Sequence, residues 1–197
     1  MRRIPSAALL AVPVALVIAG CSSSSHASSA KTAGTPHPTI TPAAGGVAHA
    51  VPVQGNGCVS QSEATRIWTQ VDSDLNAIEL DPKHTGVAAV ATGDAERLID
   101  LYLQQQLEAS SFTEREVDRL DTLSVVDAGC SGGQLELRVT IDLVQDDYLK
   151  PDGHVDHADS QVGSTIHFDE TFTRAGGAWK ESSFMDLDQA TPTPQLF

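Results

Sequence analysis

Across residues 134–144 apolar and polar positions alternate strictly. Leu135, Leu137, Val139, Ile141 and Leu143 fall on one face, and Glu136, Arg138, Thr140 and Asp142 fall on the other. A period of two marks a strand with one covered face. Residues 162–174 repeat the pattern, with Ile166, Phe168 and Phe172 inward and His167, Asp169, Thr171 and Thr173 outward. A further strand, 179–187, follows the turn Ala175-Gly176-Gly177. The β-branched, mixed stretch 117–126 precedes them all. Together these predict an antiparallel sheet of four strands.

The preceding stretch has a helical period. Ser60 and Glu63 form a capping-box start, and Ala64, Ile67, Trp68, Val71, Leu75 and Ile78 follow helical spacing to a stop before Pro82. Residues 85–92 allow one or two turns. Asp94 is the expected N-cap of a second long helix, with Leu98, Leu101, Tyr102 and Leu107 inward. Residues 110–113 end that helix, and Ser111 with Glu114 offers the start of one more turn. Helices followed by strands in one short chain predict an α+β fold, with N-terminal helices packed on a curved four-stranded antiparallel sheet.

The last strand carries Gly177-Ala178-Trp179-Lys180. With this ending and this order of elements, residues 58–188 resemble the NTF2-like superfamily, the cone-shaped α+β fold. The resemblance implies an interior pocket, in a family that includes isomerases, dehydratases and transport factors. In its enzymes an acid or a His/Asp pair faces the cone interior. No position here matches those motifs, so no catalytic residue is carried over.

The chain opens with Met1-Arg2-Arg3, an apolar run, and then Ile18-Ala19-Gly20-Cys21. This resembles a bacterial lipoprotein signal with its lipobox. The resemblance implies that residues 1–20 are removed, that Cys21 is the acylated N-terminus, and that the protein sits on the cell membrane facing away from the cytoplasm. The apolar run falls short of the about 20 residues a span needs, and it contains Pro5 and Pro13. Residues 21–56, rich in Ser, Ala, Thr, Pro and Gly, are expected to be a disordered tether. The α+β domain is expected over 57–190 and a flexible tail over 191–197. With Cys21 assigned to lipid, Cys58 and Cys130 remain, in a compartment where disulfides persist, and a bridge between them is expected.

Charge narrows the partners. The chain has 26 Asp and Glu against 12 Lys and Arg, a formal charge of −14. Such a surface excludes nucleic acid, whose phosphates need bases, so the membrane is reached through lipid. The acid- and histidine-rich stretch 146–159 raises the question of metal ligands. Its spacing fits neither an EF-hand loop nor a helical His-Glu-x-x-His frame, so a solvated hairpin loop without metal is expected. Ser131-Gly132-Gly133 lacks the helix and Lys of a phosphate cradle, and no cofactor is expected. The resulting expectation is an envelope lipoprotein that binds a small apolar ligand in the cone or an envelope protein on the sheet's outer face. The alternatives are an NTF2-like enzyme of the isomerase or dehydratase type and a dimerisation module pairing through Thr140, Thr171 and Thr173.

Overall fold

Helix α1 (Gln61–Leu80) starts where the Ser60 Oγ accepts the Glu63 N–H at 3.2 Å. The Glu63 carboxylate pairs with Arg66 at 2.6 Å and so does not close the box. The computed structural model describes residues 39–40, 50–53, 57–82, 86–130 and 133–188. The expected signal 1–20, Cys21 and the expected tail 191–197 lie outside these residues. Among the described residues no helix is long and apolar enough to cross a membrane.

The expected stripe of α1, from Ala64 to Ile78, is buried throughout. A short helix α2 (Val87–Val90) leads to α3 (Gly93–Tyr102), which passes directly into a π-helical stretch, Leu103–Glu108. Thr92, not Asp94, occupies the N-cap of α3. Its inward face is Ala95, Ile99, Leu103 and Leu107, whereas Leu101 is exposed. Leu107 is inward as predicted and Tyr102 packs half-buried against the core, whereas Ala95 and Ile99 take the inward places expected of Leu98 and Leu101. The small Ala95 and the residues a turn apart from it fit closely against the sheet, and packing chose that face over the leucine-rich one. The extra turn expected at Ser111–Glu114 is absent. Ser111 takes a positive φ of 57°, and the chain enters a strand at Thr113.

Among the described residues seven strands form one antiparallel sheet: β1 (Thr39–Ile40), β2 (Val51–Pro52), β3 (Thr113–Ala128), β4 (Leu135–Leu149), β5 (Val155–Ala158), β6 (Thr165–Ala175) and β7 (Ala178–Asp186). Their order is β1-β3-β4-β6-β7-β2, with β5 folded back on β4. The four long strands are those the alternation predicts, so the expected count of four is corrected upward by three short ones. Two of these come from the stretch read as tether. Val51, only 1% exposed, joins the core, and Pro52 is tolerated because β2 is an edge strand. Three register shifts between β3 and β4 add twist and bend to the sheet. The helices cover its inner face, where Trp68, Phe168, Phe172 and Trp179 are fully buried. Trp68 Nε1 donates to Glu170 Oε1 at 3.2 Å, which ties α1 to β6.

Cys58 and Cys130 are joined, with Cα atoms 4.1 Å apart. Beside the bridge Arg174 donates to the carbonyls of Gly57 and Gly129 at 3.0 and 3.4 Å, and its guanidinium lies 4.7 Å from the centroid of a Trp179 ring. Gly129 has φ +61°, and a Cβ there would stand 3.0 Å from the Trp179 ring, so this corner needs glycine. The bridge fastens the start of α1 to the end of β3 and spans 72 residues. In the chain-entropy account, replacing both cysteines by alanine costs about 4 kcal/mol, read as a lower urea midpoint at an unchanged slope.

Candidate functional site

The first eight residues of β3 read Thr113-Glu114-Arg115-Glu116-Val117-Asp118-Arg119-Leu120. A strand sends alternate side chains to opposite faces, and buried Leu120 fixes which set points inward. Glu114, Glu116 and Asp118 share its face and are 2%, 8% and 0% exposed. The bases go outward, where Arg115 meets Asp147 at 2.7 Å and Arg119 meets Asp142 at 2.5 Å. Acids are thus separated from bases by the sheet itself.

Strand β4 completes the inner surface after a change of parity. Up to Leu143 its odd-numbered residues are buried. Val144, 46% exposed, is then skipped in the pairing, which passes from Asp118↔Leu143 to Val117↔Gln145. Beyond that bulge the even-numbered residues turn inward, so Asp146 stands directly across from Glu116 and Tyr148 across from Glu114. Helix α1 adds Glu79, 0% exposed, from its last turn, and Asp72, 2% exposed, two turns earlier. Carboxylate oxygens of Glu79, Glu114 and Glu116 all lie within 4.8 Å of one another. The last residue of α3, Tyr102, donates its hydroxyl to Glu114 and lies 3.2 Å from the Tyr148 hydroxyl. His157 of β5 stacks on Tyr148 with ring centroids 4.6 Å apart.

The electrostatics follow from this crowding. Burial, then the charges of Glu114 and Glu116, push the Asp146 carboxyl up to about 9. Burial and the same two glutamates hold Glu79 well above the ordinary carboxyl range. Asp118 is raised by burial, Glu116 and Asp72, and Glu114 by burial and Glu116. Burial and Glu114 likewise raise the Tyr102 phenol. Among the described residues the bases are engaged elsewhere: Arg66 with Glu63, Arg138 with Asp169, Lys150 with Asp156, and Lys180 with the Ala88 carbonyl. The cluster can therefore hold protons, donate and accept hydrogen bonds through the tyrosines, or bind a cation. A surface groove of about 330 Å³ is lined by residues close in sequence to two of these acids. Among its lining residues are Asp81, two residues beyond Glu79, and Phe112 and Thr113, which directly precede Glu114.

The sequence-predicted positions divide between places. Cys58 and Cys130 form the bridge far along β3 from the acids, and Cys21 is outside the described residues. Of the stretch 146–159, Asp146 enters the interior, while Asp152, His154 and His157 stay exposed. Thr140, Thr171 and Thr173 lie half-buried on the outer face. Sequence reasoning missed Glu79, Glu114, Glu116 and Asp118. A usable signal existed: an acid at every second residue leading into Leu120, and acids at 72 and 79 inside the apolar stripe of α1.

No protein-family profile and no curated protein matches the chain. Among solved structures it is similar to that of Aln2 from a Streptomyces species, at 14% identity and a TM-score of 0.45, over 65% of this chain and 92% of that one.

The raised carboxyls make stability fall with pH. Between the usual carboxyl range near 4 and about 9 for Asp146, the folded state binds more protons than the unfolded state, so ΔG of unfolding declines as pH rises. The ion-paired surface acids Asp147 and Asp169, held below their usual range, act only at lower pH. In the presence of a chelator, thermal melts at pH 5 should lie above those at pH 8, and Asp146→Asn should shrink that difference. Equal melts at the two pH values would contradict the assignment.

Proposed function

We propose that this chain is a cell-envelope lipoprotein, anchored through an acylated Cys21, whose NTF2-like domain is a binding module. Its ligand is small and either positively charged or rich in hydrogen-bond donors, and it is held at the carboxylate cluster. The observation that carries this reading is the convergence of Glu79, Glu114, Glu116 and Asp146 with two tyrosine hydroxyls inside the sheet, while the described bases are engaged elsewhere. Burying several acids together is costly, and a fold that keeps them at one end of its interior has a use for negative potential there. An apolar ligand, expected from the cone alone, would gain nothing from such a lining.

The order of elements, the bent antiparallel sheet and the Gly177-to-Lys180 ending support the NTF2-like assignment. Arg2, Arg3 and the Ile18-to-Cys21 run support the anchor, and a disulfide suits a compartment outside the cytosol. On this reading the outer face, with its Arg119–Asp142 and Arg138–Asp169 pairs, is the surface left for an envelope partner.

One arrangement favours a second reading, an acid–base enzyme. A carboxyl near pKa 9 and the Glu114–Tyr102–Tyr148 hydrogen bonds place a proton donor and a proton acceptor in one network. Substrate turnover abolished by Tyr102→Phe without loss of binding would select it.

The binding reading is tested on full-length protein purified from membranes in mild detergent. Native mass spectrometry should show a ligand retained by the wild type and lost in Glu114→Gln. Palmitate should label the wild type and not Cys21→Ser, which should also leave the membrane fraction. Equal retention by Glu114→Gln, or an unlabelled wild type, would overturn the site or the anchor respectively.

A further inference from the structure

Three carboxylates from two elements that do not adjoin in sequence reach one point. Glu79 comes from the end of α1, and Glu114 and Glu116 from neighbouring inward positions of β3. No two of their nearest oxygens are more than 4.8 Å apart. A second observation points into the same space. Asp146, 3% exposed, sits directly across from Glu116 on the inner face, and its Oδ1 has no hydrogen-bond donor. Asp118, 0% exposed and next along the inner face from Glu116, has that neighbouring carboxyl as its hydrogen-bond partner. Buried acceptors are normally satisfied, so the orphaned Asp146 oxygen beside a carboxylate trio marks a place where a cation is accommodated.

We infer that Glu79, Glu114, Glu116 and Asp146 form a binding site for a hard divalent cation, calcium in preference to magnesium. This deepens the binding-module reading and rests on its placing of the ligand at the cluster. The donor set is oxygen throughout. It contains no imidazole, and Cys58 and Cys130 are committed to their bridge, so the softer ions that favour nitrogen and sulfur are poorly served. Calcium accepts six to eight oxygens at roughly 2.3–2.6 Å in irregular arrangements, so its ligands can stand about 4.8 Å apart. Magnesium requires a tighter octahedron at about 2.0–2.1 Å and holds its waters, which a buried cluster of carboxylates suits less well. Charge is relieved only in part. A dication offsets two of the four carboxylates, and the Tyr102 hydroxyl already shares a hydrogen bond with Glu114.

The experiment uses the full-length chain stripped with chelator and then titrated with calcium, magnesium or manganese chloride alone. Calcium should raise the melting temperature and evolve heat in calorimetry, with an affinity in the range of extracellular modules, about 0.1–1 mM. Binding should release protons, because carboxyls held neutral must ionise to ligate. Terbium substituted for calcium should show tyrosine-sensitised luminescence, since Tyr102 and Tyr148 border the site, and calcium should quench it by displacement. Glu116→Gln and Asp146→Asn should melt higher than wild type in chelator at pH 8, because they remove repulsion, yet bind calcium at least tenfold more weakly. Asp169→Asn, on the outer face, should bind as the wild type does.

A folded wild type that responds to none of the three metals would overturn the inference, as would Glu116→Gln with unchanged affinity. If membrane-purified protein retains an organic ligand that Glu114→Gln loses, while calcium has no effect, the cation fails and the binding module stands. If calcium binds as described but Cys21 carries no acyl chain, the cation site stands and the envelope placement fails.

Discussion

The pairing of β3 with β4 governs the rest of this domain. The two strands, 16 and 15 residues long, form the most extended ladder in the sheet, and three register shifts interrupt it. Each shift leaves a residue unpaired, increases the local twist and reverses which alternate residues face inward beyond it. The bend gives the sheet an inner surface for α1 and α3 to cover. The reversal at Val144 gives that surface two chemistries. Leu135 to Leu143 line the apolar part with Phe168 and Phe172, and Asp146 with Tyr148 line the polar part opposite Glu116 and Glu114. A ladder in strict register would have sent Asp146 outward.

The polar part sets an electrostatic problem, since the Lys and Arg side chains among the described residues pair elsewhere. Two unit charges 5 Å apart repel by about 3 kcal/mol at the effective dielectric usual for protein sites. The cluster holds several such pairs, and bound protons or a bound cation relieve that repulsion. Burial first and the neighbouring glutamates second raise Asp146 to about 9, and protonation is the consequence. The apolar part of the interior and the Cys58–Cys130 corner supply the stability that lets this arrangement persist. There Trp179, Arg174 and Gly129 interlock beside the bridge, far along β3 from the acids.

The same separation bears on function. Acids paired with Arg115, Arg119 and Arg138 lie on the outer face, whereas Glu79, Glu114, Glu116 and Asp146 face inward. A strongly acidic composition is usually read as surface solvation. Here some of that charge is directed inward at one end of the core, where low polarity strengthens every interaction with a cation or a hydrogen-bond donor. The lipid anchor and the binding module are proposals, and they meet in one picture of a tethered domain that presents an acidic interior outside the cytoplasm.

Much of the architecture was legible without coordinates because it rests on local periods. The Ser60 cap, the buried stripe of α1, the inward leucines of β4 and the inward aromatics of β6 follow from 3.6- and 2-residue repetition within single elements. The inward face of α3 did not, since packing of Ala95 and Ile99 overruled a stripe drawn through Leu98 and Leu101. Nor did the carboxylate cluster. Glu114 could be read as a helix-cap partner until its strand was known, and Asp146 could be placed inward only once a bulge had been located. Sequence alone determined which residues repeat and with what period. Tertiary structure decided where acids from α1, β3 and β4 converge, because register is set between strands and a single unpaired residue turns every later side chain to the opposite face.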